Sequence, residues 1–307
     1  MTGFVVLEKM IVLILLMLVG FLVSKAGWVD ARFNQDASRL VSSVFGSCTI
    51  VGSVMNVEPL MSGGELLLAA GTIFLIFLLG GLIGFLVSRA LPLAPRERDV
   101  AWLSVFFMNN VFVGFPVIEA VFGKDAIFCA SLSNLPFNLL LYTIGVARLR
   151  TGEGRGSVRL REVFTMPLVA TLAAIALFLT RLSVPGIAQD LVTTMGAATV
   201  PMSMLIIGIS LSRVPIREAL LDWRAYAVSL TRLILCPMAA WLIMGRFLPH
   251  DSLILGVYTL IAACPSGAMI TILSVRFGAD DQFASKINFL STVLCAVTLP
   301  LVTFFLL

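Results

Sequence analysis

Two stretches of the sequence place helix breakers and hydrogen-bonding side chains inside otherwise apolar runs. The first reads Asn109-Asn110-Val-Phe-Val-Gly114-Phe-Pro116, the second Ala262-Ala-Cys264-Pro265-Ser266-Gly267-Ala268. Proline removes a main-chain donor and clashes with the preceding turn. In a membrane, backbone broken in this way survives only where protein buries it or where it lines a wet cavity. A helix that resumes after the break turns free N–H groups and a positive dipole end toward the gap, which suits an anion. The residues that would build such a site are Asn109, Asn110, Gly114, Pro116, Cys264, Pro265, Ser266 and Gly267. The competing reading is two kinks used for packing alone. The matched places of the breaks in the two halves of the chain favour a site.

Four further polar residues sit in apolar runs. Arg232 lies about nine residues into its segment, roughly 13 Å deep at 1.5 Å per residue. An intramembrane cation faces a cavity or a partner, or snorkels to the surface. For Arg232 the two readings are a carboxylate counter-ion or domain lock, and a side chain reaching the cytoplasmic face. Asn138 and Asn288, with Asn134, either supplement the anion site or hydrogen-bond between helices. His250 is the sole histidine and carboxylates do not cluster, so no metal centre is expected. The five cysteines show no metal spacing and read as free thiols. No Ser/His, paired-Asp or His/Glu constellation lies in an apolar run, so the chain is not expected to be an enzyme, and no cofactor is implied.

The elements that must position these residues follow from composition. Of 307 residues 59% are hydrophobic and 12% charged, with a net charge of +4 and a mean hydropathy of +1.05. Soluble chains carry about 25% charge, so a cytosolic domain is excluded. The basic residues are dispersed, which argues against a nucleic-acid partner and leaves the lipid bilayer as the surroundings. A spanning helix needs about 20 apolar residues. Ten runs qualify: Phe4–Lys25, Asp36–Met55, Glu65–Leu91, Val100–Val121, Ala126–Ala147, Val163–Leu182, Ile187–Leu211, Arg224–Leu248, Leu253–Val275 and Gln282–Leu307. The first is long enough to read as a retained helix rather than a cleaved leader.

Sixteen of the twenty-one lysines and arginines fall in the loops after the odd-numbered spans or at the span ends beside them. By the positive-inside rule those loops are cytoplasmic and both termini lie outside a cell (inner) membrane. Residues 1–147 then hold five spans, 148–162 a cytoplasmic linker, and 163–307 five more running upside down. Phe122-Gly-Lys-Asp-Ala-Ile-Phe128 and Phe277-Gly-Ala-Asp-Asp-Gln-Phe283 agree at four of seven positions across an offset of 155 residues. The fold predicted is an all-α polytopic membrane protein of ten transmembrane helices, built as two inverted five-helix repeats. Inverted repeats are a recurrent design of secondary transporters.

At this point the sequence resembles the auxin efflux carrier family, including its bacterial members. The resemblance rests on Asn109-x-x-x-x-Gly114-x-Pro116, Pro265-Ser266-Gly267, Phe277-Gly278-x-Asp280, Ser291-Thr292, Pro201 to Leu211, and Arg232 to Pro237. It covers nearly the whole chain. It implies crossed, broken fourth and ninth helices, as in sodium/proton antiporters and bile-acid symporters. It also implies a scaffold of spans 1, 2, 6 and 7 able to form a homodimer, and a transport body of spans 3–5 and 8–10 that moves as an elevator. The implied substrate is a small carboxylate, exported, with Asn109 matching the asparagine that bonds the carboxylate of auxin. Three features depart from the plant pattern: Met108 stands where those carriers have proline, the long central loop is missing, and 66–88 carries no charge. The alternative is a cation-coupled symporter or antiporter of the same fold, with proton or sodium as coupling ion.

Single cysteines placed in the 148–162 linker of a cysteine-free chain are expected to react with impermeant thiol reagents only from the cytoplasmic side. Cysteines at both termini should react only from outside. Termini found on opposite faces would overturn the inverted topology.

Overall fold

The computed structural model describes residues 3–55, 62–150, 163–213 and 216–306. Among them the chain is helical and contains no strand, only one isolated β-bridge. Most of the predicted linker, 151–162, lies outside the described residues.

The helices are α1 (Gly3–Lys25), α2 (Ala31–Leu40, Val41–Phe45 and Gly46–Gly52, end to end), α3 (Gly63–Ala90), α4 (Pro95–Phe106), α5 (Asn110–Phe122) and α6 (Ala126–Leu149). Then come α7 (Met166–Thr180), α8 (Gly186–Leu211), the short α9 (Ile216–Leu221), α10 (Trp223–Met244), α11 (Leu253–Ala263), α12 (Ala268–Phe277) and α13 (Asp281–Leu306). Among the described residues α3, α6, α8, α10 and α13 are long and apolar enough to cross a membrane. Large apolar side chains stand exposed on them, such as Leu78, Leu82, Phe304 and Phe305, while Ser104, Asn110, Thr259 and Arg232 are buried. That is the reverse of a soluble protein, and fits hydrocarbon as the outer solvent.

The fourth and ninth predicted spans are each two helices. The α11 and α12 helices have 11 and 10 residues. At 1.5 Å per residue each measures about 15 Å, half of a ~30 Å hydrocarbon layer. Only end to end could the pair reach across. The first break falls earlier than the proline pattern suggests, at 107–109. Gly114 and Pro116 lie inside α5, and Gly114 has helical dihedrals. Pro116 is tolerated because it follows a widened π turn at Asn110–Gly114. Pro237 stands in the same relation to the π turn Thr231–Leu235, where Cys236 N–H reaches back to the Thr231 carbonyl. Widening the turn removes the clash between a proline ring and the carbonyl four residues before it.

Other edges shift for local reasons. The second helix begins at Ala31 because Asp30 accepts from Phe33 N–H at 2.7 Å, an N-cap in polar sequence that hydropathy misses. The α4 helix begins at Pro95, where the Glu97 carboxylate accepts from Ala94 N–H at 2.9 Å. The eighth span stops at Met244 rather than Leu248, and the sixth is shortened to α7, ending at Arg181 in the left-handed region. The matched Phe-Gly-x-Asp motifs are equivalent turns: Gly123 and Gly278 each close a helix with positive φ, and the next helix starts three residues later.

The chain forms two compact units, each drawing on both halves of the sequence. The first comprises residues from 1–71, 111–135 and 164–213. In it α1 packs along the second part of α8. A Cβ on Gly20 would clash with the Leu205 carbonyl oxygen, and one on Gly208 with that of Met17. The two backbones touch, and only hydrogen fits at either position. Hydroxyl contacts continue the seam, Ser212 to Ser24 at 2.7 Å and Thr49 to Thr199 at 2.7 Å. The second unit comprises residues from 72–110, 136–163 and 214–307. There α3 lies on α4, with Gly84 against the Trp102 carbonyl and Trp102 Nε1 donating to the Gly81 carbonyl at 2.8 Å.

Gly208→Ala is expected to lower thermal stability by about 1–3 kcal/mol through overpacking. Gly71→Ala, where nothing lies within 4 Å of the new methyl, should leave stability unchanged or slightly higher. A thermal-shift assay on purified protein compares them, and equal melting points would exclude backbone contact between α1 and α8.

Candidate functional site

The two breaks meet inside the second unit. Phe107 and Cys264 leave their helices with extended dihedrals. Asn109 N–H donates to the Pro265 carbonyl at 2.9 Å, and Gly267 N–H donates to the Phe107 carbonyl at 2.8 Å. These bonds frame an antiparallel bridge between Met108 and Ser266. Broken helices leave orphan donors and acceptors whose burial is costly, and each extended segment satisfies the other's. Asn109 and Pro265 are 156 positions apart in sequence and in direct contact. Phe106 and Phe107 stack at 4.5 Å and, with Phe77 and Phe137, bury one flank.

Arg232 holds the helix ends at this crossing. Its Nε donates to the Cys264 carbonyl at 3.0 Å, one Nη to Val105 at 3.1 Å, and the other Nη to Ile261 at 3.3 Å. The residue is 1% exposed, so it does not snorkel. Among the described residues it has no carboxylate within ion-pair distance. Its acceptors are carbonyls in the last turns of α4 and of α11 and the first of the second break. A helix C-terminus carries roughly half a negative charge, so the two ends together offset about one guanidinium. On α3, Gly80 lies beside it: a Cβ there would be 3.9 Å from Arg232 Nη1, an ordinary contact distance.

Side chains around the crossing retain unused hydrogen-bonding capacity. The Asn109 carboxamide has no partner among the described residues, although the residue is only 8% exposed. Ser266 Oγ and Asn288 Oδ1 are buried without partners there. Ser266 N–H donates to Ser291 Oγ at 3.2 Å, and Ser291 Oγ and Thr292 Oγ1 donate to the Asn288 carbonyl at 3.2 and 2.7 Å. Thus Ser266 and Asn288 are joined through Ser291, which the sequence marked only as part of the Ser291-Thr292 motif. Asn110, buried, is the first residue of α5, and the α12 helix resumes at Ala268 directly after Gly267. Asn138 is buried on α6 in the second unit. Gly114 and Pro116 belong to the first unit. So does Asn134, whose Nδ2 donates to Thr171 at 3.2 Å, an interhelical bond. Among the described residues no group of His, Cys, Asp and Glu could hold a metal ion.

At one end of the second unit, charged groups join helix termini. Arg224 at the start of α10 donates to Glu97 of α4 at 2.9 Å and to Asp222 at 3.1 Å, and Lys286 of α13 lies 3.3 Å from Asp222. Arg148 at the end of α6 sits 3.7 Å from Asp99 and 5.1 Å over the Trp102 ring. Arg150 lies over Phe277, the last residue of α12. The beginnings of α4, α10 and α13 and the ends of α6 and α12 therefore share one face. Burial pushes the Asp222 carboxyl up, but hydrogen bonds and charge from Arg224 and Lys286 outweigh it, leaving the group below its ordinary value.

The profile of a family described as membrane transport protein matches residues 5–159 and 153–303. An uncharacterised transporter of Methanothermobacter thermautotrophicus is 27% identical over 296 residues, 96% of each chain. An uncharacterised transporter of Methanocaldococcus jannaschii is 24% identical over 305 residues, 96% of this chain and 97% of that one.

Because Asp222 is depressed in the folded state, its stabilising contribution is full above the unfolded carboxyl value of about 4 and disappears as pH falls through the lower folded value. Melting temperature should therefore decline on acidification below about pH 4, and less steeply in Asp222→Asn. Parallel pH profiles for the two proteins would show that the ion-pair cluster adds no stability.

Proposed function

From the premise that the chain belongs to the membrane transport protein family, that of the auxin efflux carriers, we propose that it is a secondary transporter exporting a small carboxylate. The observation carrying this reading is the paired crossing of 107–109 with 264–267, where a buried asparagine side chain has no hydrogen-bond partner among the described residues. The substrate carboxylate lies against Asn109, with Ser266 and Asn288 as further polar contacts. Its charge faces the helices that resume at Asn110 and Ala268. The outside-positive membrane potential favours export of a negative charge by about 2.3 kcal/mol per 100 mV.

The mechanism in this reading is alternating access of the elevator type, in ten spans arranged as two inverted repeats. Spans 1, 2, 6 and 7 form a scaffold that dimerises, and spans 3–5 and 8–10 carry the substrate. The gathering of five helix ends of the second unit on one basic face supports the topology, because all five are cytoplasmic in the predicted orientation. What supports the elevator reading is the division into two compact units, the first holding spans 1, 2, 6 and 7 and the second most of spans 3, 8, 9 and 10, although residues 111–135 of spans 4 and 5 group with the first. A cation-coupled carrier is the weaker alternative. The break segments contain no carboxylate, and among the described residues the one full charge bonded to them is positive.

Reconstituted protein given a panel of labelled mono- and dicarboxylates should take up at least one member, with Asn109→Ala raising its KM about tenfold or more. That fold-change corresponds to losing a charge-assisted hydrogen bond of roughly 1.5–3 kcal/mol. Unchanged KM in a stably folded Asn109→Ala protein would exclude the asparagine from the site.

A further inference from the structure

We propose that Arg232 sets the sign of charge the crossing accepts, without itself touching the substrate; the inference rests on the crossing being the substrate site. Four half-helix ends converge there in chain order. The α4 and α11 helices end at the breaks, and the α5 and α12 helices begin after them. Each terminus carries roughly half a unit charge, negative at a C-terminus and positive at an N-terminus. Without a further group the four contributions sum to about zero, and the crossing would favour neither anion nor cation.

Arg232 removes that balance. Its donors occupy carbonyls of the two negative ends, Val105 on α4 and Ile261 on α11, and Cys264 beyond the latter. Because no carboxylate answers it among the described residues, the crossing as a whole carries about one positive charge. Arg232 and Asn109 bond adjacent carbonyls of one extended segment, Cys264 and Pro265. The charge therefore sits close to the unpartnered carboxamide while its donors point at main chain. A coupling cation is repelled by this arrangement and a monoanion is attracted. Arg232 is thus a positioning and selectivity residue, and its guanidinium shape serves to span acceptors on two helices at once.

The test needs no knowledge of the substrate. In full-length protein with Cys48, Cys129, Cys236, Cys264 and Cys295 replaced by serine or alanine, Asn109→Cys places a thiol at the crossing. Its rates of modification by an anionic and a cationic methanethiosulfonate, the ethylsulfonate and the ethyltrimethylammonium reagents, give a ratio that reports the local potential. Adding Arg232→Gln should lower the anion-to-cation ratio about tenfold or more, as expected for removing a unit charge roughly 10 Å away at an effective dielectric near 20. Adding Arg232→Lys, which keeps the charge but loses the fork, should hold the ratio within about threefold of the parent on the same physical argument. A ratio unchanged by Arg232→Gln, or lowered equally by Arg232→Lys, overturns the proposal. So does a residue-109 thiol unreactive to both reagents. If the glutamine protein does not fold, the lysine protein decides by the same ratio, and failure of both overturns a role based on charge. A carboxylate panel with no transported member leaves this ratio measurable, so the two readings can fail separately.

Discussion

Everything at the centre of the second unit follows from one constraint: main-chain polar groups freed by a helix break cannot stay unbonded away from water. An unsatisfied buried peptide group costs as much as a lost hydrogen bond or more. Two breaks in isolation would each carry several such groups. Brought together, 107–109 and 264–267 satisfy one another through the Met108–Ser266 bridge, and Arg232 adds bonds to the carbonyls of 105, 261 and 264. The aromatic cluster around Phe107 and the glycines of α3 then appear as consequences. The α3 helix must come close to close the flank, and Gly81 against the Phe106 ring and Gly84 against the Trp102 carbonyl allow it.

Two kinds of irregularity serve different ends. Extended breaks expose backbone to one another. The π turns at Asn110–Gly114 and Thr231–Leu235 instead keep the helix continuous while absorbing Pro116 and Pro237. In α10 the π turn contains Arg232 itself, and the changed helical phase aims a long side chain inward from a helix whose neighbours Ile234 and Leu235 face outward. A proline in a membrane helix therefore marks either a break or a widened turn, and its partners decide which.

Much of this architecture was legible in the sequence because hydropathy and backbone chemistry are local. The apolar runs, the interruption at Pro265 and the involvement of Asn109 could be read from residue types alone. The first interruption, read over Asn109–Pro116, falls at the leading edge of that stretch, because sequence shows Pro116 but not the π turn that accommodates it. The role of Arg232 was hidden more deeply. Its acceptors are carbonyls at 105, 261 and 264, which have no side-chain identity to recognise. The contact of Gly20 with Leu205 and of Gly208 with Met17 was equally invisible, because a glycine that admits another backbone looks like any other. The pairing of Glu97 with Arg224 joins residues 127 positions apart, beyond the reach of any periodicity.

The buried guanidinium has an electrical consequence. In the proposed cycle an empty crossing carries about one positive charge and a crossing holding a monoanion carries none. The transmembrane voltage, worth about 2.3 kcal/mol per charge per 100 mV, then does no work on the loaded site. It acts on the return of the empty one, drawing the resident charge back toward the negative interior. One negative charge still leaves per turnover, but the voltage-sensitive step is resetting rather than delivery. A carrier of this kind would show currents limited by the empty site's return, with Arg232 as its gating charge.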